Sequence, residues 1–420
     1  MKKFLTIWIG ELISSIGSGM TAFAVSIYVY QLTGSATLVS FAALLAYLPT
    51  ILLNPVGGIL ADRYDRRLMM ICGDSLSAIG LLFMLVCIQM GNVGVLPIFI
   101  GITISSVFVA PLEPAYKATV TDLLSEEEYV KASGLVQIAG SSKYLISPVL
   151  AGLILSLTDI RAILIIDMAT ILITVFAVAS VRKNIQIAKP NMEKFKLLDE
   201  FKEGMKSITS DKGVSSLVIL MALMCFFIAF IQTLMTPMIL AFADTRTLGI
   251  MESVSAVGML IGSIAIGILN IKKGYSKVLT ISLMTAGIFM ALTGTTTNIN
   301  LIMLFCILFF IALPFINTSA DVLIRIRIPN EVQGRVWGII SVLTQIGYVF
   351  AYAVCGILAD YVFGPMLMKD GILAGSIGQI IGTGEGRGIG LMLIITGIIM
   401  FASAFIFGYR KNIRGMEVRI

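Results

Sequence analysis

Glu11, Glu113, Lys117, Lys143 and Asp167 each fall inside a long apolar run of the chain. A charge near the centre of a bilayer costs roughly 2.5–3.5 kcal/mol on insertion scales, so such a group normally faces a partner, a wet cavity or a cargo. On the first run, Glu11, Ser14, Ser15, Ser18 and Thr21 form one stripe at helical spacing. That stripe suits the wall of a water-filled cavity, with Glu11 as a proton or cation site; helix packing through small residues would explain the serines but not the glutamate. Glu113 and Lys117 stand four residues apart in the favourable order for an intrahelical pair, which either neutralises both charges or forms part of a site. Pro111 and Pro114 bracket this glutamate and should bend their helix, freeing backbone carbonyls nearby. Further on, Gln137, Ser141 and Tyr144 share a face, while Lys143 lies on another with Asp167 as its expected counter-ion. The later part of the chain is poorer in such groups: Gln232, Thr236, an end-placed Glu252, Asn317 and Asp321.

These residue types support the movement of a proton or cation better than the making of bonds. The chain has no histidine, so the usual general base, the commonest metal ligand and the near-neutral proton switch are all missing. If a proton is carried, the expected carriers are Glu11, Glu113 or Asp167. The five cysteines lie in apolar runs without CxxC spacing and read as small buried hydrophobes. No nucleophile–base–metal cluster is visible, so neither a metal nor a cofactor is expected. "GTGEGRG" at 382–388 imitates a phosphate loop but lacks the G-K-[ST] ending and a preceding strand, which argues against ATP hydrolysis.

The elements that must position these groups follow from composition. The chain is 58% hydrophobic and 13% charged, with a mean hydropathy of +0.98. A soluble surface cannot be built from so few polar groups, whereas stretches of about 20 apolar residues recur throughout and match a bilayer core. The apolar runs predict twelve membrane segments, near 4–31, 37–60, 69–90, 94–118, 133–157, 161–181, 214–242, 250–270, 278–295, 300–323, 336–359 and 387–408. The opening "MKKFLTIWIG" has no cleavage-like small-residue site and reads as the start of segment one. With the N-terminus inside, 24 of the 30 Lys and Arg fall on the inner side, which predicts cytoplasmic termini in the cell membrane. The same distribution explains the net charge of +6 without a nucleic-acid partner.

One long polar stretch, 182–213, separates a first bundle (1–181) from a second (214–420). Within it Phe195, Leu198, Phe201, Met205 and Ile208 recur at three and four residues, as in a helix lying along a membrane face. The halves repeat weakly. "PAYKATVTDLLSEEEYVKASGL" matches "NTSADVLIRIRIPNEVQGRVWGI" with a two-residue gap, and "GGILADRYDRR" at 57–67 matches "IGILNIKKGYSK" at 266–277. A second "GILAD" at 356–360 ends segment eleven and is a coincidence of spelling. Residues 361–386 read as an external loop with a short helix around 372–381. The expected architecture is thus an all-α membrane protein of twelve helices in two pseudo-symmetric six-helix bundles, the arrangement of secondary transporters.

Gly58, Leu60, Ala61, Asp62, Arg63, Arg66 and Arg67 match the G-x-L-A-D-R-x-x-R-R loop between segments two and three, with Asp65 where a second glycine is usual. On this loop the chain resembles the major facilitator superfamily. It is similar in particular to the drug-exporter branch that contains the macrolide efflux proteins and, more distantly, enterobactin exporters. That likeness is carried by "GSGMTAFAVSIYVYQLTGSA" at 17–36, "DRYDRR", "KYLISPVLAGLILSLTDIRAILIIDM" at 143–168 and "IPNEVQGRVWGI" at 328–339. The resemblance implies secondary active export of small amphipathic molecules, drug-like or macrolide-like, by alternating access and proton antiport, from a monomer in lipid. Export of a siderophore or other endogenous metabolite is the alternative within transport, and an intramembrane lipid-modifying enzyme the alternative outside it. Segment four, "LPIFIGITISSVFVAPLEPAYKA", has no arginine where many proton-coupled exporters carry one, so that route has no counterpart here. The 23 Met and 23 Phe fit an adaptable apolar pocket and fit lipid contact equally well.

The loop at 57–67 is expected to latch the outward-facing state, with Gly58 allowing close helix approach, Asp62 capping or bridging to the neighbouring half, and Arg63, Arg66 and Arg67 meeting headgroups. Asp62→Asn should therefore slow transport in vesicles while membrane insertion and yield stay normal. Wild-type transport by that variant would refute the latch.

Overall fold

A computed structural model describes residues 1–91, 94–124, 128–182, 197–269, 271, 273–328 and 333–409, and these contain helices and turns but no strand. The first part holds α1 (Lys2–Thr33), α2 (Ala36–Arg63), α3 (Arg66–Gln89), α4 (Val95–Val109), α5 (Leu112–Leu123), α6 (Tyr129–Leu145), α7 (Ser147–Leu157) and α8 (Ile160–Arg182). A short α9 (Leu197–Ser210) follows. The remainder is α10 (Lys212–Leu240), α11 (Thr245–Leu269), α12 (Tyr275–Thr295), α13 (Ile299–Arg327), α14 (Gln333–Leu358), α15 (Gly364–Leu367), α16 (Ile377–Ile381) and α17 (Arg387–Tyr409).

Among the described residues, twelve helical stretches are long and apolar enough to cross a membrane, and they coincide with the expected segments to within several residues at most ends. Two spans are each built from two helices. The fourth breaks at Ala110–Pro111 between α4 and α5, because proline has no N–H to donate and its ring crowds the preceding turn. Pro114 then sits in the first turn of α5, where its missing donor costs little. The fifth breaks at Ile146, ahead of Pro148, at the junction of α6 and α7. The eleventh span runs further than its hydropathy suggested. Its helix passes through a π-helical turn at Ala359–Phe363 into α15, so the second "GILAD" lies inside a continuous span, Val336–Leu367. The expected short helix in the following loop is α16, and Ile381 packs there with Leu367 and Leu391.

Close contacts divide the chain into two compact units: Met1–Glu193 with Asp244–Ser253, and Lys194–Ala243 with Val254–Ile420. The start of α11 belongs with the first unit, where the Val149 amide donates to Ser253 Oγ over 3.1 Å. In the polar stretch, Phe195 lies outside the described residues, as do the side chains of Leu198 and Phe201. The described helix α9 buries Ile208, and Ser215 Oγ at the start of α10 donates to the Ile208 carbonyl over 2.8 Å.

Hydrocarbon offers no hydrophobic drive between helices, so tight packing through small residues holds the helices of each unit to one another. In the second unit Gly287 and Gly294 of α12 face Gly397 and Gly390 of α17, and a Cβ on Gly294 would run into the Gly390 carbonyl oxygen. Gly294→Val is therefore expected to force these backbones apart at a cost of about 1–3 kcal/mol and to lower the thermal midpoint in detergent. Gly267→Val, where a Cβ meets nothing within 4 Å, serves as the control. Equal midpoints for the two variants would refute the close contact.

Candidate functional site

Asp167 of α8 is the most deeply buried charge among the described residues of the first unit, 2% exposed. Its carboxylate accepts from Thr21 Oγ1 of α1 over 2.5 Å and from Thr170 Oγ1, one turn on, over 3.4 Å. One turn further, Thr174 Oγ1 donates to the Gly10 carbonyl over 2.8 Å, so α1 and α8 are joined at two levels. Glycine at position 17 is what leaves room for this: a Cβ there would lie 2.8 Å from Asp167 Oδ1 and would overlap the Thr170 hydroxyl. Asp74 of α3 is 6% exposed, and the charges of Glu11 and Asp167 both act on it. Its carboxylate has no hydrogen bond among the described residues. Glu11 also acts on the hydroxyl of Tyr116 in α5, a buried group without a hydrogen-bond partner among the described residues. Three acids from three helices thus share one interior region, and Lys143 is near enough to Asp167 for its charge to be felt. Such a set can take up protons or a cationic group, since unpaired negative charges in an apolar interior are costly.

Asp74 is the member that sequence reasoning missed. The available signal was its position on the buried face of α3 with Met70, Ser77, Leu81, Met84 and Ile88, a stripe spaced at three and four residues. Other expected site residues divide clearly. Glu113 stands apart from the three acids, because Lys117 Nζ meets its carboxylate at 2.6 Å on an exposed face of α5. Ser15 is half-buried and Ser18 exposed, with Ser18 Oγ donating to the Ser15 carbonyl over 3.3 Å. Gln137 and Tyr144 are exposed and Ser141 half-buried, so their common face is open. Lys143 makes no ion pair with Asp167 among the described residues; the closest partners of that acid are threonines. In the second unit Gln232 and Asn317 are exposed, while Asp321 is paired with Arg325 Nε at 2.8 Å, one turn along α13.

The loop between α2 and α3 is a second polar centre of the first unit. Arg66 donates to the carbonyls of Ala61 and Ala118 and to Asp122 Oδ1, the last over 2.6 Å. Arg67, 4% exposed, lies 3.6 Å from Asp122 Oδ2. Asp65 occupies the position where the family pattern has glycine and caps α3, accepting from the Arg67 amide over 3.1 Å. It also pairs with Arg182 Nε at the end of α8, at 2.6 Å. Burial raises the Asp65 carboxyl, but the Arg182 hydrogen bond, the Arg67 amide and the Arg182 charge outweigh it and hold the group below its ordinary value. Arg63 is exposed, and the Asp62 side chain lies outside the described residues. The close helix approach expected of Gly58 belongs to its neighbour. A Cβ on Gly57 would come within 2.7 Å of Pro111 Cα at the α4–α5 break, whereas one on Gly58 would meet nothing within 4 Å.

Residues 7–352 match the model of the Major Facilitator Superfamily. The chain belongs to the Major Facilitator Superfamily. Macrolide efflux protein A of Streptococcus pyogenes is 28% identical to it over 368 residues, covering 85% of this chain and 89% of the relative. Macrolide efflux protein A of Enterococcus faecalis is 28% identical over 316 residues, covering 73% and 96% respectively. Among solved structures, the POT family transporter PepTSo superposes with a TM-score of 0.74 at 10% identity, covering 100% of this chain and 99% of that one. The superfamily member is a transporter with twelve membrane-crossing helices, a multi-pass protein of the cell membrane.

The Asp65–Arg182 pair makes a signed prediction. A depressed folded-state pKa contributes stability that is complete above the ordinary carboxylate value of about 3.9 and is lost as pH falls through the folded value. Wild-type thermal stability should therefore show no Asp65 contribution to its pH dependence between pH 8 and 5. Asp65→Asn should lower stability by roughly 1 kcal/mol across that window and flatten the loss below it. A variant that matches wild type at pH 7 would refute the pairing.

Proposed function

We propose that this superfamily member is a secondary active exporter of small amphipathic molecules, drug-like or macrolide-like, driven by proton antiport. The observation that carries the proton half of this reading is the set Glu11, Asp74 and Asp167, buried or half-buried on three packed helices of one unit. The likeness to the macrolide efflux proteins supports the cargo half. The protein works as a monomer with both termini cytoplasmic, the orientation favoured by the excess of Lys and Arg on one side.

The coupling step rests on hydrogen-bond chemistry. An ionised Asp167 only accepts, and so takes the hydroxyl proton of Thr21, while the Thr170 hydroxyl is shared between the Asp167 carbonyl at 2.7 Å and its carboxylate at 3.4 Å. Once protonated it must also donate, which changes the link between α1 and α8. Loading a proton thereby alters the packing of the helices that carry the cavity stripe of Glu11, Ser15 and Ser18. The loop around Asp62 then latches the state reached, and release of the proton to the other side resets it.

The test is reconstitution into liposomes with erythromycin as cargo and an imposed pH gradient. Wild-type flux should rise about tenfold with the gradient. Asp167→Asn and Asp74→Asn should lose that response while retaining exchange without a gradient, and Glu113→Gln should keep it. Wild-type flux that ignores the gradient would refute antiport and leave facilitated export standing.

A further inference from the structure

The second unit contains a cavity of about 250 Å³ between α10, α12, α13 and α14. Its wall includes Leu220, Met224, Cys225, Leu279, Asn317 and Tyr348, and no lining residue is charged. Small-molecule sites typically measure about 300–1,000 Å³, so this one suits a ring system or a short branched chain, not a whole large molecule. Methionine in the wall lets the shape adapt. A charged occupant is disfavoured, because an ion without a partner in such a lining costs several kcal/mol.

Asn317 is what distinguishes this cavity from a packing defect. It lies well inside the span of α13, three residues beyond Pro314, and its carboxamide has no hydrogen bond among the described residues. The amide offers two donors and an acceptor oxygen. Left against hydrocarbon these groups are expensive, and the neighbouring backbone is already short of one donor at Pro314. Facing a cavity, the same amide becomes the polar anchor of an otherwise apolar receptor, the composition expected of a ligand site.

We propose that this cavity binds an uncharged, apolar ring or chain carrying a carbonyl or hydroxyl group, which Asn317 hydrogen-bonds. Resting on the export reading, we infer that this group is part of the exported molecule. The first unit then supplies the switchable charge and the second the apolar recognition.

Cys225 provides a residue-specific readout, because its thiol lies in the wall. The full-length chain carrying Cys72→Ser and Cys87→Ser, purified into lipid nanodiscs, is treated with the neutral thiol reagent methyl methanethiosulfonate, with and without Nile red. The dye should slow modification of Cys225 at least fivefold. Asn317→Leu should abolish that protection, and Asn317→Gln should keep part of it. Modification occurs after folding, so it also tests transport without a folding defect: erythromycin efflux should fall at least fivefold once Cys225 is blocked. Equal modification rates with and without the dye would overturn the site. Protection with unchanged efflux would overturn the cargo assignment. A missing pH-gradient response would instead overturn antiport and leave the protection result intact.

Discussion

The constraint beneath this structure is that polar groups inside an apolar slab must find their partners within the protein. Asp167 shows how far the fold goes to meet it. The carboxylate needs donors, which Thr21 and Thr170 supply, and it needs space, which glycine at position 17 supplies. None of these residues is useful alone. Moving α1 by a fraction of a turn would remove Thr21 and put a side chain where Gly17 stands, leaving a buried acid without partners. The register of α1 against α8 is therefore set by one acid.

The same logic recurs at the loop end of the first unit with a different outcome. Asp65 ties the start of α3 to the end of α8 through Arg182, and Asp122 ties α5 back to α3 through Arg66 and Arg67. These carboxylates have guanidinium partners. The interior acids have hydroxyl partners or none, with Lys143 acting only at a distance. The second unit uses charge sparingly: Asp321 is met by Arg325 one turn away, and the buried Arg387 donates to the carbonyls of Gly294 and Thr296 at the end of α12. Its α12 and α17 are held by glycine contacts. Close backbone packing is common to both units: in the first, a Cβ on Gly80 of α3 would meet the Gly101 carbonyl oxygen of α4.

What was legible in the sequence follows from the range of each interaction. Spans are read from hydropathy because insertion depends on a local run of about 20 residues, and the helix break at Pro111 from a missing donor. The Glu113–Lys117 pair needed only a spacing of four. Interactions between helices were harder. Lys143 was the natural counter-ion for Asp167 by depth, yet the threonines answer that acid, because helix rotation about its axis is not written in depth. Asp74 escaped notice since it sits two residues from Cys72 in an ordinary-looking run, and only the buried stripe of α3 gives it away. At the loop, Gly58 matched the family pattern, while Gly57 makes the contact, since which of two adjacent glycines faces a neighbour depends on tertiary packing.

Neutralisation chemistry also sorts the acids by role. An acid paired with arginine is a structural charge: protonating it means breaking a charge-assisted hydrogen bond and leaving a guanidinium unmatched. An acid held by threonine loses less on protonation, because a hydroxyl both donates and accepts and can reverse its direction. Asp65 and Asp122 belong to the first kind and Asp167 to the second. Asp74 belongs to neither kind, having no side-chain hydrogen bond among the described residues. The fold thus places arginine-paired acids at the helix ends and a hydroxyl-held acid in the interior.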